Sequence, residues 1–155
     1  MINIIKAGIQ DLESLTELFG AYRNFYRMNP DREGENAFLK ERLLNNDSQI
    51  FIAKNEQDAL CGFVQLYPQL SSTQLQEFWL LNDLYVDPAY RGKGISIQLI
   101  ERSKKLCRET NAFGLVLETE KSNDIGNKLY PRAGFELDEV HNFYIWEIKS
   151  PSFSS

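Results

Sequence analysis

Hydrophobic positions change period twice along the chain. A short apolar run at residues 2–7 alternates as a strand does, after which Leu12, Leu15, Leu18, Phe19, Tyr22, Phe25 and Tyr26 recur three and four residues apart. That spacing draws one apolar stripe down a helix, and Asp11 stands where an N-cap belongs. The polar stretch Asn29-Pro30-Asp31-Arg32-Glu33-Gly34 breaks this helix; Phe38, Leu39, Leu43 and Leu44 mark a second one, which turns at Asn45-Asn46-Asp47. Residues 49–54, 59–67 and 76–86 are then rich in β-branched and aromatic side chains, with turn-prone 55–58 and 71–73 between them. They predict an antiparallel meander, which Asp87-Pro88 terminates. Beyond it the pattern alternates: a helix over about 94–110, a buried strand at 114–119, a short helix over 124–132 and two closing strands. A helix joins the strand ending at Val86 to the one beginning at Gly114, so these two are expected to be parallel neighbours with a right-handed crossover. The sheet is therefore mixed.

Composition places these elements in one folded domain. The chain has 155 residues, 43% hydrophobic and 25% charged, with a mean hydropathy of -0.39, which excludes a disordered or repetitive polymer and leaves room for a single ordinary core. No apolar run reaches the roughly 18 residues of a membrane span, and the N-terminal MINIIKAG lacks the charged start of a secretory signal. The expected address is cytoplasmic, with no membrane partner. Cys61 and Cys107 lie inside apolar runs and His141 is the only histidine, so neither a disulfide framework nor a metal site is expected.

The net charge of -5 is unevenly spread, because residues 91–109 carry six Lys and Arg against Glu101 and Glu109. One basic segment on an acidic chain suits a compact polyanion such as a nucleotide, and not a nucleic acid duplex, which needs a broad basic face. The chain enters this segment through Leu84-Tyr85-Val86-Asp87-Pro88-Ala89-Tyr90-Arg91-Gly92-Lys93-Gly94-Ile95-Ser96: strand, glycine-rich turn, helix start. The first turn of a helix leaves its N–H groups unpaired at the positive end of the dipole, and glycines let a ligand approach the backbone. A diphosphate fits there, with Arg91 and Lys93 as added cations. Neither the dinucleotide-binding spacing of three glycines nor the Gly-Lys-Ser/Thr of a nucleotide triphosphatase loop is present.

Arg91-x-x-Gly94-x-Ser96 instead resembles the acetyl-coenzyme A signature of the GNAT acetyltransferase superfamily, with Ser96 departing from its final Gly or Ala. Asn123, Gly126, Leu129, Tyr130, Gly134 and Phe135 stand at the spacing of that family's second element. Leu81-Asn82-Asp83-Leu84-Tyr85-Val86-Asp87 is similar to the fourth strand of members that acetylate polyamines and other small amines, and Tyr22-Arg23-Asn24-Phe25-Tyr26 resembles the aromatic patch of that subgroup. The resemblance covers residues 2–149. It implies a single α/β domain over 1–149, followed by a short polar tail at 150–155. The implied sheet is mixed and twisted, has six to seven strands and about four helices, and is splayed between strands four and five.

In that cleft the resemblance places acetyl-CoA as cosubstrate. Backbone at Leu84, Tyr85 and Val86 would pair with the pantetheine arm as an added strand does, Gly92, Lys93, Gly94, Ile95, Ser96 and Ile97 would hold the pyrophosphate beside Arg91, and Asn123 and Gly126 would meet the arm. Tyr130 would protonate the departing thiolate, a transfer that a phenol of pKa about 10 can make to a thiol of about 8.5. Asn82 stands where polyamine-acetylating relatives carry a glutamate proposed as general base; an amide removes that role. Alternation predicts that Asn82 and Asp83 face opposite sides of the strand. Phe25, Tyr26, Asn82 and Glu118 are the candidate acceptor-site residues, and Asp31, Glu33 and Glu35, between the first two helices, would attract a cationic amine.

The reaction implied is direct attack of a small-molecule primary amine on the thioester in a ternary complex. A protein lysine or N-terminal acetyltransferase and a non-catalytic acetyl-CoA sensor are the alternatives. Large apolar side chains in Phe78-Trp79-Leu80 and Phe143-Tyr144-Ile145-Trp146 exceed what one sheet face holds, and a homodimer is expected to cover the excess.

Overall fold

The structure, a computed structural model, describes residues 1–148, so the polar tail lies outside the described residues. Two compact units make up the chain, Met1–Glu118 and the residues from Thr119 onward. In the first, five strands form one sheet in the order β1-β2-β3-β4-β5. β1 (Asn3–Lys6), β2 (Gln49–Lys54), β3 (Leu60–Ser71) and β4 (Gln76–Val86) are antiparallel neighbours, and β5 (Leu115–Val116) runs parallel to β4. α1 (Leu12–Phe25) and α2 (Arg32–Asn45) intervene between β1 and β2; α3 (Ile95–Thr110) makes the crossover from β4 to β5.

The helices divide between the faces of the sheet. Leu15, Leu18 and Phe19 of α1 and Leu39 of α2 pack with Ile50, Ile52, Phe63 and Tyr85, as their stripe of three- and four-residue spacing requires. α3 covers the other face at Gly62, where a Cβ would meet Tyr85 O at 3.1 Å and methyls of Ile95 and Leu99 at 3.4 Å. A side chain there would crowd the Tyr85 carbonyl of β4 and touch the methyls of α3. The far end of α3 is tied down where Trp79 Nε1 donates to Thr110 Oγ1 at 2.9 Å. Asp11 stands at the start of α1, but its side chain makes no cap bond to that helix: its carboxylate instead accepts from Gly8 N at 2.9 Å and pairs with Lys54 Nζ at 3.1 Å, fastening the β1–α1 connection to the end of β2.

Three sequence expectations need correction. β3 continues past Tyr67 to Ser71, through Pro68; β2 ends opposite Leu66, so the missing proline N–H falls on an edge and costs no ladder bond. β5 is only Leu115–Val116 instead of the predicted six residues. The sheet has five strands and not six to seven, because no strand forms among described residues 136–148. The apolar side chains there satisfy a strand's pattern, but a strand also needs a neighbouring edge to bond. Phe143, Tyr144, Ile145 and Trp146 are 74%, 85%, 69% and 83% exposed.

In the second unit, α4 (Asp124–Arg132) lies where the pattern predicts it. Asn123 caps it, accepting from Gly126 N at 3.2 Å and donating from Nδ2 to Thr119 Oγ1 at 2.9 Å. A Cβ at residue 126 would meet Asn123 Nδ2 at 2.5 Å, so a larger residue there would push the capping amide aside. Among the described residues, no helix is long and apolar enough to cross a membrane.

Candidate active site

The ladder between β4 and β5 joins only Trp79 to Leu115 and Leu80 to Val116, whereas β4 runs on to Val86. The strands therefore part after Leu80, and the later residues of β4 present an open edge. Which groups point there follows from the pairing with β3. Asp87 N donates to Cys61 O at 2.9 Å, and hydrogen-bonded pairs alternate with unbonded ones in an antiparallel ladder. Leu84, opposite Val64, and Val86, opposite Gly62, are unbonded pairs. Their N–H and C=O groups turn away from β3 toward the open edge, the arrangement that an added strand requires.

A bulge adjusts this edge. Gln65 faces Asp83 while Leu66 faces Leu81, leaving Asn82 as the extra residue. A bulge breaks the two-residue alternation, so the expectation that Asn82 and Asp83 face opposite sides does not hold. Their side chains meet instead, Asn82 Nδ2 donating to Asp83 Oδ1 at 3.1 Å. Asp83 is buried and also accepts from Gln65 Nε2 at 2.8 Å, and Gln65 Oε1 accepts from buried Ser48 Oγ at 2.9 Å. Burial pushes the Asp83 carboxyl upward, while hydrogen bonds from Gln65, Asn82 and Tyr22 pull it down. The Tyr67 phenol is pushed up to about 12, first by burial and then by the charge of Asp83.

At the end of β4 the chain turns through a 3₁₀ segment, Pro88–Tyr90, into the glycine-rich turn. Gly92 and Gly94 have φ of +79° and +76°, the left-handed region that favours glycine, and a Cβ at either would meet nothing within 4 Å. The cradle is open. Gly94 precedes α3 with no side-chain cap bond and no acidic residue follows in the first turn, so the helix N-terminus keeps its donors and positive end for an anion. Arg91 Nε donates to Val86 O at 3.0 Å with its guanidinium 5.3 Å from the Tyr85 ring centroid, and Lys93 Nζ lies 5.4 Å from that of Tyr90. Farther along the basic segment, Lys104 pairs with Glu101 and Arg102 with Glu109. Open edge, bare helix start and adjacent cations fit a long diphosphate-bearing thioester: Leu84 and Val86 would hold its arm, and 92–97 its phosphates.

The predicted acceptor residues divide. Phe25 and Tyr26 join an aromatic cluster with Tyr22 and Tyr85: ring centroids are 5.3 Å apart for Tyr22–Tyr26, 5.0 Å for Phe25–Tyr26, 5.9 Å for Tyr22–Tyr85 and 6.4 Å for Phe25–Tyr85. Tyr22 Oη donates to Asn82 O at 3.4 Å, bringing this cluster to the bulge. The Tyr85 ring thus belongs to the aromatic side of the site. Glu118 is exposed, two residues beyond the end of β5. Two of the acidic residues between α1 and α2 have local tasks: Asp31 caps α2 by accepting from Gly34 N at 3.0 Å, and buried Glu35 pairs with Arg23 at 2.6 Å. Glu33 remains exposed.

Ser48, Gln65 and Asp83 were not among the sequence-derived site residues. The available signal was Gln65 itself, a polar residue at an inward position of the run Phe63-Val64-Gln65-Leu66, where burial requires a partner. In the second unit Tyr130 is half-buried against Phe135, ring centroids 5.7 Å apart.

The comparisons with known proteins agree with this geometry. The sequence profile described as Acetyltransferase (GNAT) family matches residues 12–135. An uncharacterized N-acetyltransferase, YhfO, of Bacillus subtilis is 40% identical over 137 residues, 88% of this chain and 91% of its own length. A probable acetyltransferase of Haemophilus influenzae is 38% identical over 143 residues, 92% of this chain and 96% of its own. The crystal structure of a probable acetyltransferase superposes with a TM-score of 0.90 at 35% identity, covering 96% of this chain and 99% of that one. With an open fourth strand running into a glycine-rich helix start, and with relatives of this identity and coverage, the chain is an acetyltransferase that belongs to the GNAT family.

Proposed function

We propose that the protein transfers an acetyl group from acetyl-CoA to the primary amine of a small cationic acceptor, by direct attack in a ternary complex. The observation that carries this reading is the open edge of β4, which leads from the aromatic cluster and bulge at Asn82 to the bare N-terminus of α3. When bound, acetyl-CoA supplies an activated acetyl group as its thioester. The chain's own part is to hold the arm along Leu84 and Val86 and the phosphates at 92–97. The outward N–H groups of β4 can also donate to the acyl oxygen as it gains charge, a preorganised interaction typically worth on the order of 3 kcal/mol. Tyr130 is proposed as the acid for the leaving thiolate. The aromatic cluster suits an ammonium or amine, which ring faces attract.

Two solved structures of the same fold support the ligand classes: a predicted acetyltransferase from Clostridium acetobutylicum with acetyl-CoA, and an aminoglycoside acetyltransferase in complex with sisomicin. A second reading has its own support, since the [Ribosomal protein bS18]-alanine N-acetyltransferase of Haemophilus ducreyi is 31% identical over 107 residues. Thiol release from acetyl-CoA, measured with a panel of diamines, polyamines and basic amino acid derivatives beside peptides, separates them. Release with free amines, with a Michaelis constant that rises with salt as exposed carboxylates such as Glu33 are screened, is the expected result. Release with peptides alone identifies a protein modifier, and cofactor binding without release identifies a sensor.

We also propose a cytoplasmic homodimer. Phe143, Tyr144 and Trp146 are at least 74% exposed, and large apolar side chains left bare together in sequence suit an interaction surface. Light scattering at micromolar concentration should give twice the 18.0 kDa chain mass; a concentration-independent mass of one chain would refute the dimer.

A further inference from the structure

Among the described residues three carboxylates are buried, and they are satisfied differently. Asp11 pairs with Lys54 and Glu35 with Arg23, so each meets a cation. Asp83 is held by neutral groups: Gln65 Nε2 at 2.8 Å on Oδ2, Asn82 Nδ2 at 3.1 Å on Oδ1, and the Tyr22 hydroxyl as a further hydrogen-bond partner. Both amides turn their NH₂ groups to Asp83, whose oxygens accept. For Gln65 this leaves Oε1 facing inward, where the Ser48 hydroxyl donates to it at 2.9 Å.

For Asn82 the outcome is opposite. Its carboxamide is planar, with NH₂ committed inward, and its side chain is exposed on the bulge. Its Oδ1 is therefore directed away from Asp83, on the residue whose backbone carbonyl receives Tyr22 Oη. We propose that Asn82 presents its side-chain carbonyl oxygen as the hydrogen-bond acceptor for the N–H of the acetyl-accepting amine, and that Asp83, anchored by Gln65 and Ser48, is the positioning residue that holds it so. The inference rests on the amine-acceptor reading above and names the residue that reads the amine. A carboxamide oxygen accepts a hydrogen bond without taking the proton, so Asn82 aligns the nitrogen lone pair and leaves proton removal to water.

Steady-state kinetics with 1,4-diaminobutane as the probe test this. Asn82→Ala, with melting to check that the variant folds, should raise the Michaelis constant for the diamine roughly tenfold, as expected for a lost hydrogen bond. The dissociation constant for acetyl-CoA should stay within about twofold. Asp83→Asn should raise the same Michaelis constant in the wild-type background and have no further effect on Asn82→Ala, because a residue acting through another is non-additive with it. An unchanged Michaelis constant in Asn82→Ala, or full additivity in the double variant, overturns the proposal.

If Asp83→Asn fails to fold, NMR of the wild-type protein decides the positioning. The Asn82 side-chain amide protons should exchange more slowly with solvent than those of exposed Asn24; equal rates overturn it. If wild-type protein releases no thiol with 1,4-diaminobutane or any other free amine of the panel, the amine-acceptor reading fails at that step. Titration of the diamine into the acetyl-CoA complex then judges the contact: a shift of the Asn82 side-chain resonances supports it, and no shift overturns it.

Discussion

Calorimetry on Gly94→Asp should show acetyl-CoA binding weakened at least about tenfold, because the substitution places an anion at the helix start that is proposed to hold anions. Gly94 has a φ of +76° and a Cβ added there meets nothing within 4 Å, so the new side chain starts into open space. A left-handed conformation costs a non-glycine residue on the order of 1 kcal/mol, least for Asn and Asp. Folding should therefore survive, and melting should confirm it. The carboxylate would sit among the unpaired amides at the start of α3, satisfying donors that otherwise await phosphate and repelling what approaches. Gly94→Asn is the control that separates charge from bulk: with the same backbone demand and no charge, it should lose much less affinity. Unchanged affinity in Gly94→Asp would remove the phosphate assignment from this turn.

Tyr130→Phe should lower turnover by about a hundredfold or more while leaving acetyl-CoA affinity nearly intact, the pattern for loss of a group needed only as the leaving thiolate gains charge. The substitution deletes one hydroxyl and retains the ring that packs against Phe135 at 5.7 Å, so α4 keeps its aromatic contact. A drop in turnover with unchanged binding separates an acid from a binding contact, which would weaken both. Full activity in Tyr130→Phe would mean that water protonates the thiolate.

Much of this molecule is decided locally, and such features are legible in the chain. The stripe from Leu12 to Tyr26, the strands at 49–54 and 76–86 and the helix at 124–132 all lie where periodicity and breakers place them, because a side chain's face depends only on its distance along a regular backbone. The turn at 91–96 is legible for the same reason: glycines at left-handed φ and a helix start after a strand are properties of a few consecutive residues. The parallel crossover between β4 and β5 follows from chain connectivity.

What required the tertiary structure is whatever depends on a partner distant in sequence. The bulge at Asn82 exists only as a mismatch between Gln65–Asp83 and Leu66–Leu81, and no inspection of Leu81-Asn82-Asp83 reveals that two residues of β4 will oppose one step of β3. It reverses the alternation argument, brings Asn82 and Asp83 together and connects them through Gln65 to Ser48, 17 residues earlier. Asp31 and Glu35 read as free acids in sequence and become a helix cap and half of an ion pair once α1 and α2 pack. Residues 143–146 carry the side chains of a strand without becoming one, because a strand is a relation between two backbones. Local composition proposes an edge, and only a neighbour completes it.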